Sequence, residues 1–255
     1  MLLTYSSYEE TIRNLSDYNK KIINEVCDKF NLLTVAINPY IALRKNIEMG
    51  FLCRTLMDWE CEIVFKYGKR NVCEEYYPLL LDYARKTVVP HKSQDYSCHI
   101  TYFYLFQPIY YQDMICSFFV SFFDKPIFKN FNLEHSALEQ EIVTQISAFF
   151  RKQNKYGPEQ ISVAILDEQF IVIMISGLLT PFLREFVNND SPDALVIEKV
   201  FIMQTNKVLE EIFIKYFNTK PHEPFIYFDK NNDKMIVLSS LSKDKWMKFL
   251  DRMYT

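Results

Sequence analysis

Six cysteines and four histidines are the residues of this chain best suited to chemistry, and their spacing decides what they could do. Cys27, Cys53, Cys61, Cys73, Cys98 and Cys116 all fall in the first half. A structural zinc site draws on close pairs such as CxxC, and no such pair occurs, so no metal set is assigned. Cysteines scattered in this way act as small buried hydrophobes. Cys98 followed by His99, with His91 nearby, offers a thiol and a base, and an enzyme using Cys98 or His99 is the catalytic alternative. Neighbours on a strand point to opposite faces, however, and no third group is placed to orient the base. His222, flanked by Pro221 and Pro224, reads as a loop residue. No catalytic residue and no cofactor is assigned.

The stretch DKNNDK places Asp229, Asn231 and Asp233 at alternate positions, as a calcium loop does. It lacks the glycine at the sixth position and the glutamate at the twelfth that an EF-hand needs, so the reading is a solvated hairpin turn. Lys243, Asp244 and Lys245 read as a solvated helix start. Tyr102, Phe103, Tyr104, Phe106, Tyr110 and Tyr111 form an aromatic run that could stack bases or a planar ligand. Single-strand binders interleave aromatics with basic residues, and no Lys or Arg lies between His99 and Phe123, which argues against nucleic acid. Burial or a partner surface is the first reading of these rings. A small-molecule pocket lined by Tyr102, Tyr104 and Tyr110 is the alternative.

The rest of the composition sets the frame. A chain of 255 residues, 49% hydrophobic and 24% charged, can bury a sizeable core. Only 4 glycines argue against folds built on glycine-rich phosphate loops. A net charge of −3 argues against a general electrostatic hold on DNA, RNA or anionic lipid. The opening MLLTYSSYEETIRNL has neither a basic n-region nor a long apolar h-region, so no signal peptide is expected, and no apolar run reaches bilayer length. Reduced thiols in a cytoplasm are the matching expectation.

The elements that must position these residues fall into two units, 1–130 and 131–255, joined near Phe123 to Leu133. In the first, helical spacing runs from Tyr8 to Phe30. Leu32 to Ile37 is strand-like, Tyr40 to Leu43 and onward to Met49 reads as a second strand, and Gly50 precedes a helix over Phe51 to Phe65. A further helix covers Val72 to Thr87, followed by strands His99 to Phe106 and Met114 to Phe123. In the second unit, Leu138 to Lys152 is helical, and Ile161 to Leu166 and Phe170 to Ile175 form a hairpin. Thr180 is an N-cap with Pro181 at the first helical position. A long helix from Ala194 to Phe217 carries Val200, Met203, Leu209, Ile212 and Phe213 as its apolar stripe. Phe225 to Phe228 and Met235 to Leu241 form the last hairpin, and a short helix bears Trp246, Phe249 and Leu250.

The same order of elements occurs twice, and short matches accompany it. Thr34 to Ile37 matches Ser162 to Ile165, Gly50-Phe51-Leu52 matches Gly177-Leu178-Leu179, and Asp113 to Ile115 resembles Lys234 to Ile236. A diverged tandem duplication is therefore expected.

Gly157-Pro158, the alternation of Val163 and Ile165, then Ile171-Val172, Gly177 and Leu179-Thr180-Pro181 make an ordered series. In this series the second half, over about Leu138 to Leu241, resembles the MpsC-like domain family of bacteria. Leu183 stands where the family usually has a glutamate, and Asn189 to Pro192 replaces its glycine. The resemblance implies a cytoplasmic, non-enzymatic accessory or regulatory protein near a membrane complex for inorganic-carbon or cation uptake. It carries over no catalytic residues. The expected fold is α+β: two similar units, each a four-stranded, mainly antiparallel sheet with helices on one face. The chain would be a monomer with pseudo-twofold halves or a homodimer, with no direct membrane insertion.

Overall fold

A computed structural model of the chain describes residues 8–29, 40–68, 82–83, 86, 89–90, 98–106, 109–111, 114–126, 136–188 and 192–254. The chain divides into two compact units, Met1–Phe131 with Leu250–Thr255, and Asn132–Phe249. It is α+β, with one mainly antiparallel sheet in each unit.

The first unit opens with helix α1 (Tyr8–Lys29), followed by strands β1 (Tyr40–Arg44) and β2 (Ile47–Thr55). Lys45 at φ 55 turns the chain between them. Helix α2 (Asp58–Cys61) runs on as a wider turn over Glu62–Lys66. Strands β3 (Ile100–Leu105), β4 (Ile109–Tyr111) and β5 (Met114–Phe123) complete the sheet in the order β1-β2-β5-β3, with β4 also pairing with β5. Among the described residues the sheet thus has five strands rather than the four expected, because β3 and β4 lie end to end along β5. Asn46 fixes the end of β5: its side-chain amide donates to the Phe123 carbonyl at 2.8 Å, and the Phe123 N–H donates back to the Asn46 carbonyl at 2.9 Å.

Two expectations fail here. Tyr40 to Met49 is not one strand, since the chain reverses at Lys45. Phe51 to Thr55 is strand rather than the start of a helix, and Gly50 lies inside β2 opposite Phe119. A Cβ on Gly50 would sit 2.0 Å from the Phe119 ring, so the glycine makes room for an aromatic neighbour instead of breaking an element. The strand Leu32 to Ile37, the turn at Gln107-Pro108, and most of the helix Val72 to Thr87 lie outside the described residues.

The second unit follows its sequence closely. Helix α3 (Ser136–Asn154) precedes the hairpin of β6 (Gln160–Leu166) and β7 (Phe170–Ser176). Asp167 and Glu168, both at positive φ, make the tight reversal, closed by the Gln169 N–H on the Leu166 carbonyl at 3.0 Å. Paired positive φ values match the twist of the flanking strands. Helix α4 (Pro181–Asn188) starts as expected: the Thr180 hydroxyl accepts the Leu183 N–H at 3.1 Å. Helix α5 (Pro192–Ile212) continues as a wider turn over Phe213–Phe217, ended by Asn218 in the left-handed region. Strands β8 (His222–Asp229) and β9 (Lys234–Ser240) follow, and helix α6 (Lys243–Tyr254) finishes the unit with its residues up to Phe249.

The second sheet has the order β6-β7-β9-β8, all antiparallel. Ile142, Ile146 and Phe150 of α3 and Phe201, Leu209 and Ile212 of α5 pack on residues such as Ile165, Ile173 and Val237 to form its main core. Phe170 meets Trp246 and Phe249 of α6 edge-on, with ring centroids 6.3 and 5.0 Å apart. His222 is the first residue of β8 rather than a loop residue, and its ring lies 6.5 Å from that of Trp246. The stripe of α5 is also corrected. Val200 and Met203 are exposed, and Phe201, Thr205 and Val208 take the buried positions, because α5 is apolar on both sides over its first half.

Candidate functional site

The densest set of polar contacts among the described residues of the second unit gathers where β7 gives way to α4. Strand β7 ends at Ser176, and Gly177 turns the chain at φ 72. The Gly177 N–H donates to the Asp233 backbone carbonyl at 3.1 Å. The next two amides both donate to the Asp233 side chain: Leu178 N–H to Oδ1 at 2.9 Å, and Leu179 N–H to Oδ1 at 3.0 Å and Oδ2 at 3.1 Å. From the first turn of α4, Arg184 Nη2 donates to Oδ2 at 2.9 Å. Asp233 itself sits at φ 48 at the end of the β8–β9 turn, with only 10% of its side chain exposed. A carboxylate that receives backbone amides and a guanidinium has its lone pairs filled.

Around this carboxylate stand the residues of the ordered motif. The Tyr156 hydroxyl donates to the Leu178 carbonyl, so the residue before Gly157-Pro158 is tied to the same turn. Burial pushes the Tyr156 hydroxyl up from its ordinary range, and hydrogen bonding with Thr180 opposes that push. Glu159, at the rim, lies 3.8 Å from Arg184 and is largely exposed. Gly177, Leu179, Thr180 and Pro181 thus lie in one turn-and-helix start, and Gly157 and Pro158 lead into β6 beside it. Gly177 is required twice over, by its φ and by Glu159, whose Cγ would lie 2.3 Å from an added Cβ. Gly177→Ala is expected to cost about 1–2 kcal/mol of stability, read as a lower urea midpoint with an unchanged slope.

Beside the turn, Asn154, Tyr156, Thr180, Leu183, Val196 and Phe201 are among the residues lining a groove of about 360 Å³ between α4 and α5. Its lining combines apolar side chains, such as Leu183 and Phe201, with the polar Asn154, Tyr156 and Thr180. The arrangement can hold a helix start rigidly and present a groove next to it. It places no nucleophile beside a base.

The turn DKNNDK is solvated at its tip, where Asn231 and Asn232 are exposed, but its two aspartates are not: Asp229 and Asp233 are buried, at 8% and 7% exposure. Asp229 caps the turn by accepting the Asn232 backbone N–H at 3.2 Å and its side-chain amide at 2.9 Å. Tyr156, Arg184 and Asp233 were missed as a group. The available signal was an aspartate closing a hairpin that pairs with the strand ending in Ser176-Gly177.

In the first unit, Tyr102 and Tyr104 of β3 are buried on one face, against Phe122 at 6.4 Å and Phe106 at 5.0 Å between ring centroids. Tyr110 pairs with Ile115, whereas Tyr104 pairs with Val120, an odd number of residues further along β5. Alternation then sends Tyr110 to the other face of the sheet, so the three tyrosines do not converge. Cys98 is buried just before β3, and burial pushes its thiol up, with Lys125 pulling it back, so the nucleophilic thiolate is disfavoured. His99 is exposed, and its backbone N–H donates to Asp124 at 2.9 Å. Among the described residues no cluster of His, Cys, Asp and Glu could hold a metal ion, and no helix is long and apolar enough to cross a membrane.

The second unit is thus an antiparallel α+β domain whose second helix is anchored by a buried aspartate from the last hairpin. Residues 134–241 match the model of the family described as Na+-translocating membrane potential-generating system (MpsC). The match covers under half of the chain and includes every residue of the Asp233 cluster. No curated protein and no solved structure matches the chain.

Proposed function

We propose that the chain is a non-enzymatic accessory or regulatory protein of a membrane system that moves cations or inorganic carbon, acting from the cytoplasmic side. The observation that carries this reading is the family match over the unit whose buried polar groups serve architecture. In support, the Asp233 carboxylate is occupied by the Leu178 and Leu179 amides and Arg184, and the motif residues around it shape a turn and a helix start. The first unit is read as a diverged copy of the second. In support, among the described residues both sheets run first strand, second strand, last strand, third strand, and Met114 and Met235 are the first and second residues of the last strand. The proposed duplication is not carried by Gly50 and Gly177, which lie inside β2 and after β7 respectively.

The test is sodium-dependent uptake into cells with and without the chain, alongside retention of the purified chain on native membranes. Uptake is expected to fall when the chain is removed and to return with the wild type. A chain that membranes do not retain, and whose loss leaves sodium and bicarbonate fluxes unchanged, would sink the reading.

A further inference from the structure

The outward face of α5 carries a pattern that the core does not explain. Leu195, Lys199, Met203, Asn206 and Glu210 follow one another at steps of four, four, three and four, so they share one stripe of α5, and Ile214 follows four residues on in the wider turn that continues it. All six are exposed, and the apolar members are exposed heavily: Leu195 at 60%, Met203 at 64% and Ile214 at 54%. Large apolar groups held this far into solvent on a long regular helix mark a surface that another surface covers.

The stripe is complementary to its own reverse. Laid antiparallel on itself about a point between Gln204 and Thr205, it sets Leu195 against Ile214, Lys199 against Glu210, and Met203 against Asn206. The other half of the pair repeats each contact. A parallel arrangement in register would instead set Lys199 on Lys199 and Glu210 on Glu210. Antiparallel self-matching is what a two-fold, isologous interface requires. Lys199 makes no ion pair among the described residues. Glu210 holds Lys220 at 3.0 Å, but both side chains are well exposed, and a pair of that kind is exchanged at little cost.

We propose that α5 is a self-association surface, on which a second copy of this chain packs its own α5 antiparallel. The occupant is a second copy because the charges and the apolar ends of the stripe match its own reverse, whereas a parallel copy would set like charges together. The mixed signs along it, with Glu198, Glu210 and Glu211 beside Lys199 and Lys207, offer no basic surface to an anionic membrane. From Leu195 to Ile214 the helix is about 28 Å long. A contact of that length is small for a permanent complex, so the association is concentration-dependent.

The experiment is sedimentation of the full chain over a wide range of concentration. The 30.5 kDa chain is expected to move toward twice its mass as concentration rises. Lys199→Glu or Glu210→Lys alone places like charges together at two symmetry-related points and should weaken the dimer by about tenfold or more. The combination of both restores the pairing in reverse and should return the dissociation constant to near the wild-type value. Met203→Asp should abolish the dimer while leaving the monomer folded, its unfolding midpoint at low concentration lowered only slightly by the poorer helix propensity of aspartate. A chain that stays monomeric throughout overturns the proposal, as does a dimer indifferent to Met203→Asp. A charge-swapped double variant no tighter than either single variant overturns it too. Flotation of a monomeric chain with anionic vesicles would assign the stripe to lipid and likewise refute it.

Discussion

Asp233→Ala is expected to destabilise the second unit by about 4 kcal/mol, the middle of the range for two buried backbone amides left without their acceptor. The amides of Leu178 and Leu179 lose their acceptor, and each buried amide left unmade costs about 1–3 kcal/mol. Arg184 loses its partner as well, but it is 47% exposed and recovers water, so that part of the loss is small. Asp233→Asn keeps an oxygen for the amides and tolerates the left-handed backbone at φ 48, and about half the loss is expected. Arg184→Met should cost about 1 kcal/mol. Urea unfolding followed by tryptophan fluorescence in a Trp59→Phe background reports the second unit alone, because Trp246 is buried in its aromatic cluster. If Asp233→Ala cost no more than Arg184→Met, the carboxylate would not be what holds the start of α4.

The contrast among these variants also separates architecture from recognition. The Asp233 cluster lies 49 to 55 residues from its partners along the chain, so its loss releases the start of α4 and with it one wall of the groove at Tyr156. A variant that abolished membrane retention only in proportion to its loss of folding would place the role in the scaffold. Loss of retention in Phe182→Asp, whose side chain is 66% exposed, would instead locate recognition on α4 itself.

Much of this was legible from residue order because the signals were local. Phe170 to Ser176 and Met114 to Phe123 are unbroken β-rich runs, and Thr180-Pro181 states a helix start through the chemistry of the cap. Burial on both faces of a strand also explains why these runs do not alternate. What escaped is non-local. Gly50 looks like punctuation unless Phe119 is known to lie across from it on β5. On α5, Val200 and Phe201 are equally apolar, and only the packing partner Phe228, at 5.5 Å from the Phe201 ring, decides which faces in. Asp233 differs from Asn231 in the same turn only through amides contributed by another hairpin.

Glu139 belongs with Asp233 in this respect, and the second large effect is expected there. Among the described residues strand β6 is an edge of the second sheet, and its outward amides face no other strand of it. Glu139 of α3, 2% exposed, reaches over that edge, and its Oε1 accepts the Ile165 N–H at 3.0 Å. A glutamate on the buried side of an amphipathic helix reads from sequence as an error of pattern. Here it closes the edge and sets the register of α3 against β6. Glu139→Ala should cost about 3 kcal/mol, combining an unmade buried amide with a small cavity. Glu139→Gln, which keeps an acceptor, should cost under about 1 kcal/mol. Amide exchange reads the mechanism directly: protection of the Ile165 N–H should fall in the Ala variant well before that of the interior β7 amides. Full protection of Ile165 in Glu139→Ala would mean that the edge is satisfied by another group and that Glu139 is held only by its own packing.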